Sequence, residues 1–213
     1  MDGLLLDTER LAMQALGEAG REIGVAMPVE LCRSLIGIPE DASRAVLLEA
    51  HGSAATTDRL LAAATRLFEA AIQEGRLGVK PGALLLLDAA DRAGLPRAVA
   101  TSSLRRKAIL QLQAAGIAER FDAVVTRDDV ARGKPHPDVY LQAAQALGMA
   151  PSRCLALEDS YNGVRAAHAA GMSVVMVPDL LPPTEEMVRL CRAVVADLGS
   201  LVPWLDAHPP SER

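Results

Sequence analysis

Aromatic side chains make up only 2% of the 213 residues, so a core has to come from leucine, alanine and valine. Half the residues are apolar, enough for a sizeable core. Cysteine is scarce too. Cys32, Cys154 and Cys191 form no CxxC pair and are odd in number, which points to a reduced compartment. The chain opens without a basic segment followed by an apolar one, so no signal peptide is expected and the cytoplasm is the expected location. His51, His136, His168 and His208 are scattered, with no HxxxH or HExxH spacing, which argues against a His/Cys zinc site. The formal charge is -5 with no lysine or arginine block, so nucleic acid is not an expected partner. No apolar run reaches the ~18–20 residues of a membrane helix, so no membrane partner is expected either. GxGxxG and GxxxxGK[ST] are both absent, which removes the dinucleotide and P-loop fingerprints. The length suits one large domain or a core with a small insert. Oligomeric state is not readable, and a monomer is compatible with the sequence.

Two textures are present. From Glu9 to about Gly75 the apolar spacing is helical, as in Leu11-Ala12-Ala15-Leu16 and Leu60-Leu61-Ala64-Leu67-Phe68. Gly20, Gly52 and Gly75 are expected to end helices there, and Asp7 or Thr8 to cap the first one. After Pro81-Gly82, short apolar runs alternate with helical patterns. The runs are Ala98–Ala100, Ala123–Val125, Cys154–Leu157, Ser173–Val177 and Ala193–Val195. Helices are expected over Ala83–Ala93, up to Ala115, over Pro137–Leu147, and up to Gly171. Such alternation predicts βαβ units and a parallel sheet.

Polar residues follow the strand runs: Thr101-Ser102 after one, Glu158-Asp159 after another. Ligands of open parallel sheets bind at the carboxyl ends of the strands. Either cluster alone reads equally well as an ordinary helix cap. Together with Asp2-Gly3 and Lys134-Pro135, however, they supply carboxylates for a hard cation, hydroxyl and backbone donors for an anion, and one ammonium. That inventory suits phosphoryl transfer with magnesium.

The order MDGLLLDTE, VATSS, GKPHPDVYL, LEDSYNGVRAAHAAGM is similar to the four motifs of the haloacid-dehalogenase superfamily. It resembles most the branch with a small helical cap between the first two motifs, and the likeness runs from Met1 to about Pro178. The resemblance implies an α/β fold: a Rossmann-like parallel core of residues 1–8 and 80–206 with its first strand largely missing, an inserted all-helical cap of residues 9–79, and a loose tail of 207–213. It implies a Mg2+-dependent phosphatase acting on a small phosphorylated metabolite, of the sugar, polyol or glycolate phosphate type, through an aspartyl-phosphate. Asp2 matches the acid/base and lends its carbonyl to the metal. Thr101, helped by the Ser102 backbone N–H, and Lys134 match the phosphate-binding and catalytic positions. Asp159 matches the main magnesium ligand, with Glu158 beside it, direct or through water. Asn162 is a candidate for orienting that loop. The segments Asp7-Thr8-Glu9 and Lys80-Pro81-Gly82 look like hinges of a cap that closes over the cleft and excludes water.

In the family the attacking carboxylate stands two places before the acid/base, which is one place before Met1. The expectation is therefore an enzyme whose nucleophile is missing from the chain as written, through a late start, a fragment or a true loss. A catalytically dead protein acting by binding is the alternative. Sugar phosphomutases of the same branch carry a His after the hinge and a Lys and an Arg in a cap loop. Ala12, Ile36 and Glu40 stand at those places here. An acidic residue in place of the arginine disfavours a second phosphate, so hydrolysis is preferred over mutase chemistry. Specificity is expected to lie in cap residues Gly37 to Arg44.

Overall fold

The computed structural model describes residues 1–35 and 40–207. Within it the chain divides into two compact units, residues 7–78 and residues 1–6 with 79–213.

The first unit is helical: α1 (Thr8–Ile23), α2 (Val29–Ser34), α3 (Glu40–His51) and α4 (Ala54–Gln73). Its core joins Ala19, Leu47, Leu60, Ala63 and Ala64, with Leu16, Ile23 and Leu67 packed around them. These residues recur at three and four positions, so each helix turns one apolar face inward. Ser53 caps α4 by accepting from the Thr56 N–H at 3.3 Å. Two expectations fail here. Gly20 does not end α1, which runs on to Ile23 and closes at Gly24 with φ 76°. Gly20 is needed for space, because a Cβ there would lie 2.6 Å from Met27 Cγ and 2.9 Å from the Val25 carbonyl. Asp7 holds the N-cap position of α1 without a side-chain cap bond; its carboxylate meets Arg10 at 3.3 Å instead. Thr8 lies inside the helix and is buried.

The second unit is α/β. It runs α5 (Ala83–Arg92), β1 (Ala98–Ala100), α6 (Arg105–Ala114), β2 (Ala123–Val125), α7 (Asp138–Ala146), β3 (Leu155–Glu158), α8 (Tyr161–Ala169), β4 (Ser173–Met176), α9 (Glu185–Leu190), β5 (Ala193–Val194) and α10 (Val202–Ala207). All strand pairs are parallel: β1 with β2, and β3-β4-β5. Strand β3 starts one residue later than the sequence pattern suggests. Cys154 closes a 3-10 turn over Pro151–Arg153, and the ladder continues to Glu158, which faces Met176. Residues Met1 to Leu6 form a tight turn: Gly3 N–H donates to the Leu6 carbonyl at 3.0 Å, and Leu5 N–H to the Met1 carbonyl at 2.9 Å. Lys80 N–H donates to the Leu5 carbonyl at 2.8 Å, tying this turn to the segment before α5.

The β3-β4-β5 sheet is covered on both faces. Ala156, Val174 and Met176 pack with Tyr140, Ala143, Val164, Ala167 and Met187. Leu155, Leu157, Val175 and Val177 pack with Leu4, Ala83, Leu198 and Leu201. The side-chain period of two in a strand assigns successive residues to these opposite faces, and this alternation governs the site. Among the described residues, no helix is long and apolar enough to cross a membrane, and the three cysteines are free.

Candidate active site

The polar groups gather where strands end. Glu158 is the last residue of β3 and shares a face with Ala156, so its carboxylate turns toward α7. There it is 3% exposed and ion-paired with Lys134. It also accepts from the Tyr140 hydroxyl at 2.5 Å and the Ser160 hydroxyl at 3.0 Å. A buried carboxylate is tolerable only with such partners. Burial alone raises the Glu158 carboxyl, but the Lys134 charge, then that of the Met1 amino terminus, and the hydrogen bonds from Lys134 and Tyr140 outweigh it and hold the group below the ordinary carboxylate range. The Tyr140 phenol is pushed up, by burial and then by the Glu158 charge, so it stays a donor. Gly163, on α8, leaves room for this carboxylate; a Cβ there would collide with it.

Lys134 comes from the loop before α7, through a cis Lys134-Pro135 peptide. Its side chain is 8% exposed, and its ammonium donates to the Ala100 carbonyl at the end of β1, at 3.1 Å. One ammonium thus joins the carboxyl ends of β1 and β3. Just beyond, Thr101 is buried; its N–H donates to the Val125 carbonyl and its Oγ1 accepts from the Ser103 N–H at 3.1 Å. That leaves the Thr101 hydroxyl proton for another acceptor. Ser102 is exposed. Ser103, absent from the sequence-based candidates, donates its hydroxyl to Asp2 at 2.9 Å. Asp2 and Thr101 are therefore joined through one serine.

Asp159 goes the other way. It is the residue after Glu158 and lies on the side of Gly3. Gly3 has φ 71°, and a Cβ there would collide with the Asp159 Oδ2 and stand 3.3 Å from the Asp179 Oδ2. The bare Gly3 backbone thus makes room for the Asp159 carboxylate, with the Asp179 carboxylate alongside. Asp179, a second residue beyond sequence-based reach, follows β4 and takes the Lys80 ammonium on Oδ1 at 2.6 Å. Its Oδ2 is buried without a hydrogen-bond partner. The Asp159 carboxyl is raised above the usual range, first by burial and then by the Glu158 charge. Such a group gains most from a nearby cation. Among the described residues no three His, Cys, Asp or Glu side chains converge as a complete ligand cage. Magnesium does not require one, since it is usually held by one or two carboxylates and keeps waters and substrate phosphate. Asp159, Asp179 and the Gly3 backbone are thus the groups that could hold a small divalent ion.

Neither polar cluster serves as a helix cap. Ser160 caps α8, accepting from Gly163 N–H at 3.1 Å, and α6 starts at Arg105, whose N–H donates to the Asp128 carboxylate at 2.8 Å. Asn162 is exposed beside Arg165, 3.3 Å away.

Fold and site together define an α/β protein with buried charged and polar groups at the carboxyl ends of parallel strands. The sequence model of the haloacid dehalogenase-like hydrolases matches residues 1–171. The chain is 34% identical over 184 residues to the putative phosphatase YhcW of Bacillus subtilis, covering 86% of this chain and 83% of the relative. It is 36% identical over 180 residues to hexitol phosphatase A of Escherichia coli, covering 83% and 80%. The crystal structure of CbbY from Rhodobacter sphaeroides in complex with phosphate superposes with a TM-score of 0.74 at 30% identity, over 94% of this chain and 93% of that one. The chain belongs to the haloacid dehalogenase-like hydrolase family, and within it is a phosphoric monoester hydrolase.

Proposed function

We propose that this site hydrolyses a small phosphomonoester of the sugar or polyol type, with magnesium as its cation. The observation that carries the reading is Lys134, a nearly buried ammonium fixed by Glu158 and Tyr140 at the end of β1. An ammonium so placed neutralises a phosphoryl group without having to reorganise, which is worth most where water is excluded. The Thr101 hydroxyl and the Ser102 N–H contribute donors to the same phosphoryl oxygens. Glu158 serves by holding Lys134, and would act on a bound cation only indirectly. Asp2, fixed by Ser103, protonates the departing alcohol and then takes a proton from the attacking water. Asp159 and the Asp2 carbonyl hold the cation, which when bound supplies charge neutralisation to the phosphate. The substrate class follows from relatives named for hexitol phosphate hydrolysis and solved with phosphate bound. Ala12, where the mutases of this branch carry a His, favours hydrolysis over transfer. The loop position Ile36 lies outside the described residues, as does the side chain of Glu40.

The family pattern sets its attacking carboxylate one place before Met1, so the chain to assay carries Phe-Asp ahead of that residue. Its carboxylate oxygen bonds phosphorus as the ester oxygen leaves, and water then cleaves the aspartyl-phosphate. The expected result is magnesium-dependent phosphate release from an aryl phosphate, with a panel of sugar, polyol and glycolate phosphates ranking the substrates. Lys134→Ala lowers kcat by about 10²–10³, the usual cost of removing one preorganised charge-stabilising donor. Equal turnover with and without the added Asp would refute the covalent route, and no turnover in either chain would refute the phosphatase reading.

A further inference from the structure

We infer that Asp179, oriented by Lys80, is a positioning residue for the cation: its second carboxylate oxygen holds a water of the cation's shell beside Asp159. This rests on the cation reading above. Strand β4 ends at Met176, and the chain then passes through Val177, which packs with Leu157 and Leu4, to Asp179, whose Oδ2 lies on the side of Gly3 and Asp159. Lys80 takes up only one of its oxygens, at 2.6 Å. The other is buried and has no partner, a state that native proteins resolve with water or an ion. The unpartnered oxygen stands 3.3 Å from the position a Gly3 Cβ would take, against which the Asp159 Oδ2 already lies. What fits between two carboxylate oxygens is a donor or a cation. Direct ligation is disfavoured because the Lys80 ammonium, on the same carboxylate, would repel the ion. A coordinated water meets both demands: it donates to Asp179 and carries the ion on its other side.

The competing explanation is a structural ion pair that only ties the segment before α5 to the end of β4. The two make different predictions for metal affinity. Manganese(II) binding to the chelator-treated chain is measured by calorimetry, and the number of waters on the bound ion by solvent-proton relaxation. Melting temperature in EDTA is recorded alongside. Asp159→Asn abolishes binding. Asp179→Asn, which preserves volume and an acceptor for Lys80, weakens manganese binding about tenfold, the low end for removal of an outer partner, and alters the relaxation signal. Affinity is compared at a temperature where both variants are folded. Unchanged affinity and relaxation in Asp179→Asn, with or without a fall in melting temperature, would overturn the inference alone. Failure of the unmutated chain to bind manganese would instead sink the cation reading on which it rests.

Discussion

The helical unit and the sheet unit both bury threonine, and they do so differently. Thr8 and Thr57, on α1 and α4, are almost wholly buried, and their hydroxyls meet no hydrogen-bond partner. Thr126, in the sheet unit, is as deeply buried. Its hydroxyl and its N–H both donate to Asp129, each at 2.7 Å, and Arg105 grips the same carboxylate at 2.6 Å. Lys134 and Glu158 repeat the pattern with full charges. The helices are held by apolar faces and carry a few unsatisfied hydroxyls as a tolerated cost. At the carboxyl ends of the strands Thr126, Lys134 and Glu158 are matched, whereas Gln111, on α6 of the same unit, is buried with both amide atoms unpartnered. Asp179 Oδ2 departs from that matching, and it lies beside Gly3 and Asp159.

The sharpest way to break this comparison is at the buried ion pair. Glu158→Leu leaves Lys134 buried without its counter-charge and should cost about 3–5 kcal/mol in urea denaturation. The double variant Lys134→Met/Glu158→Leu should recover most of that, since an apolar pair of similar size packs as well as an ionic one. A double variant as unstable as the single one would make the pair a stability device and remove the contrast with the helices.

The next effect is smaller. Thr126→Val removes the hydroxyl partner of Asp129 and should cost about 1–3 kcal/mol. Asp129→Asn adds a pH signature. The hydrogen bond from Arg105, then that from Thr126, hold the Asp129 carboxyl down at about 2, against about 3.9 in an unfolded chain. Its contribution is therefore present above about pH 4 and lost as the pH falls through about 2. The stability difference between the natural chain and Asp129→Asn should shrink across that window, and a constant difference would show that the carboxylate's charge is irrelevant.

The smallest effect has the opposite sign. Thr57→Val in the helical unit replaces an unpartnered buried hydroxyl with a methyl group and should raise stability by about 0.5–1 kcal/mol. A loss of stability there would mean that the hydroxyl is matched after all, and the two units would then be alike.

Much of the fold was legible in the residue pattern. The change from helical to alternating texture falls near Pro81, and each strand lies within a residue or so of its apolar run. The errors are instructive. Gly20 reads as a helix stop, yet it is kept small by Met27, which lies seven residues on in the next segment. Asp7 reads as a cap, yet its carboxylate turns to Arg10. The site residues Asp2, Thr101, Lys134, Glu158 and Asp159 could be named because their motifs occur in a fixed order. Ser103 and Tyr140 fall inside the motifs VATSS and GKPHPDVYL, yet nothing local marks them as site residues, and Asp179 lies outside every motif. Their importance lies in which long-range neighbour they meet: Asp2, Glu158 and Gly3.

By itself the sequence determined the alternation that makes a parallel sheet, the family, and the polar inventory at the strand ends. Only the tertiary structure decided how that inventory is divided. Glu158 and Asp159 read as one acidic pair, but successive residues at a strand end face opposite sides of the sheet. One side offers Lys134 and Tyr140, and Glu158 becomes the anchor of an ammonium. The other offers Gly3 and the Lys80-bound Asp179, and Asp159 packs against the bare Gly3 backbone. Those partners stand 18 or more residues away from the pair along the chain, so no local pattern could have assigned them.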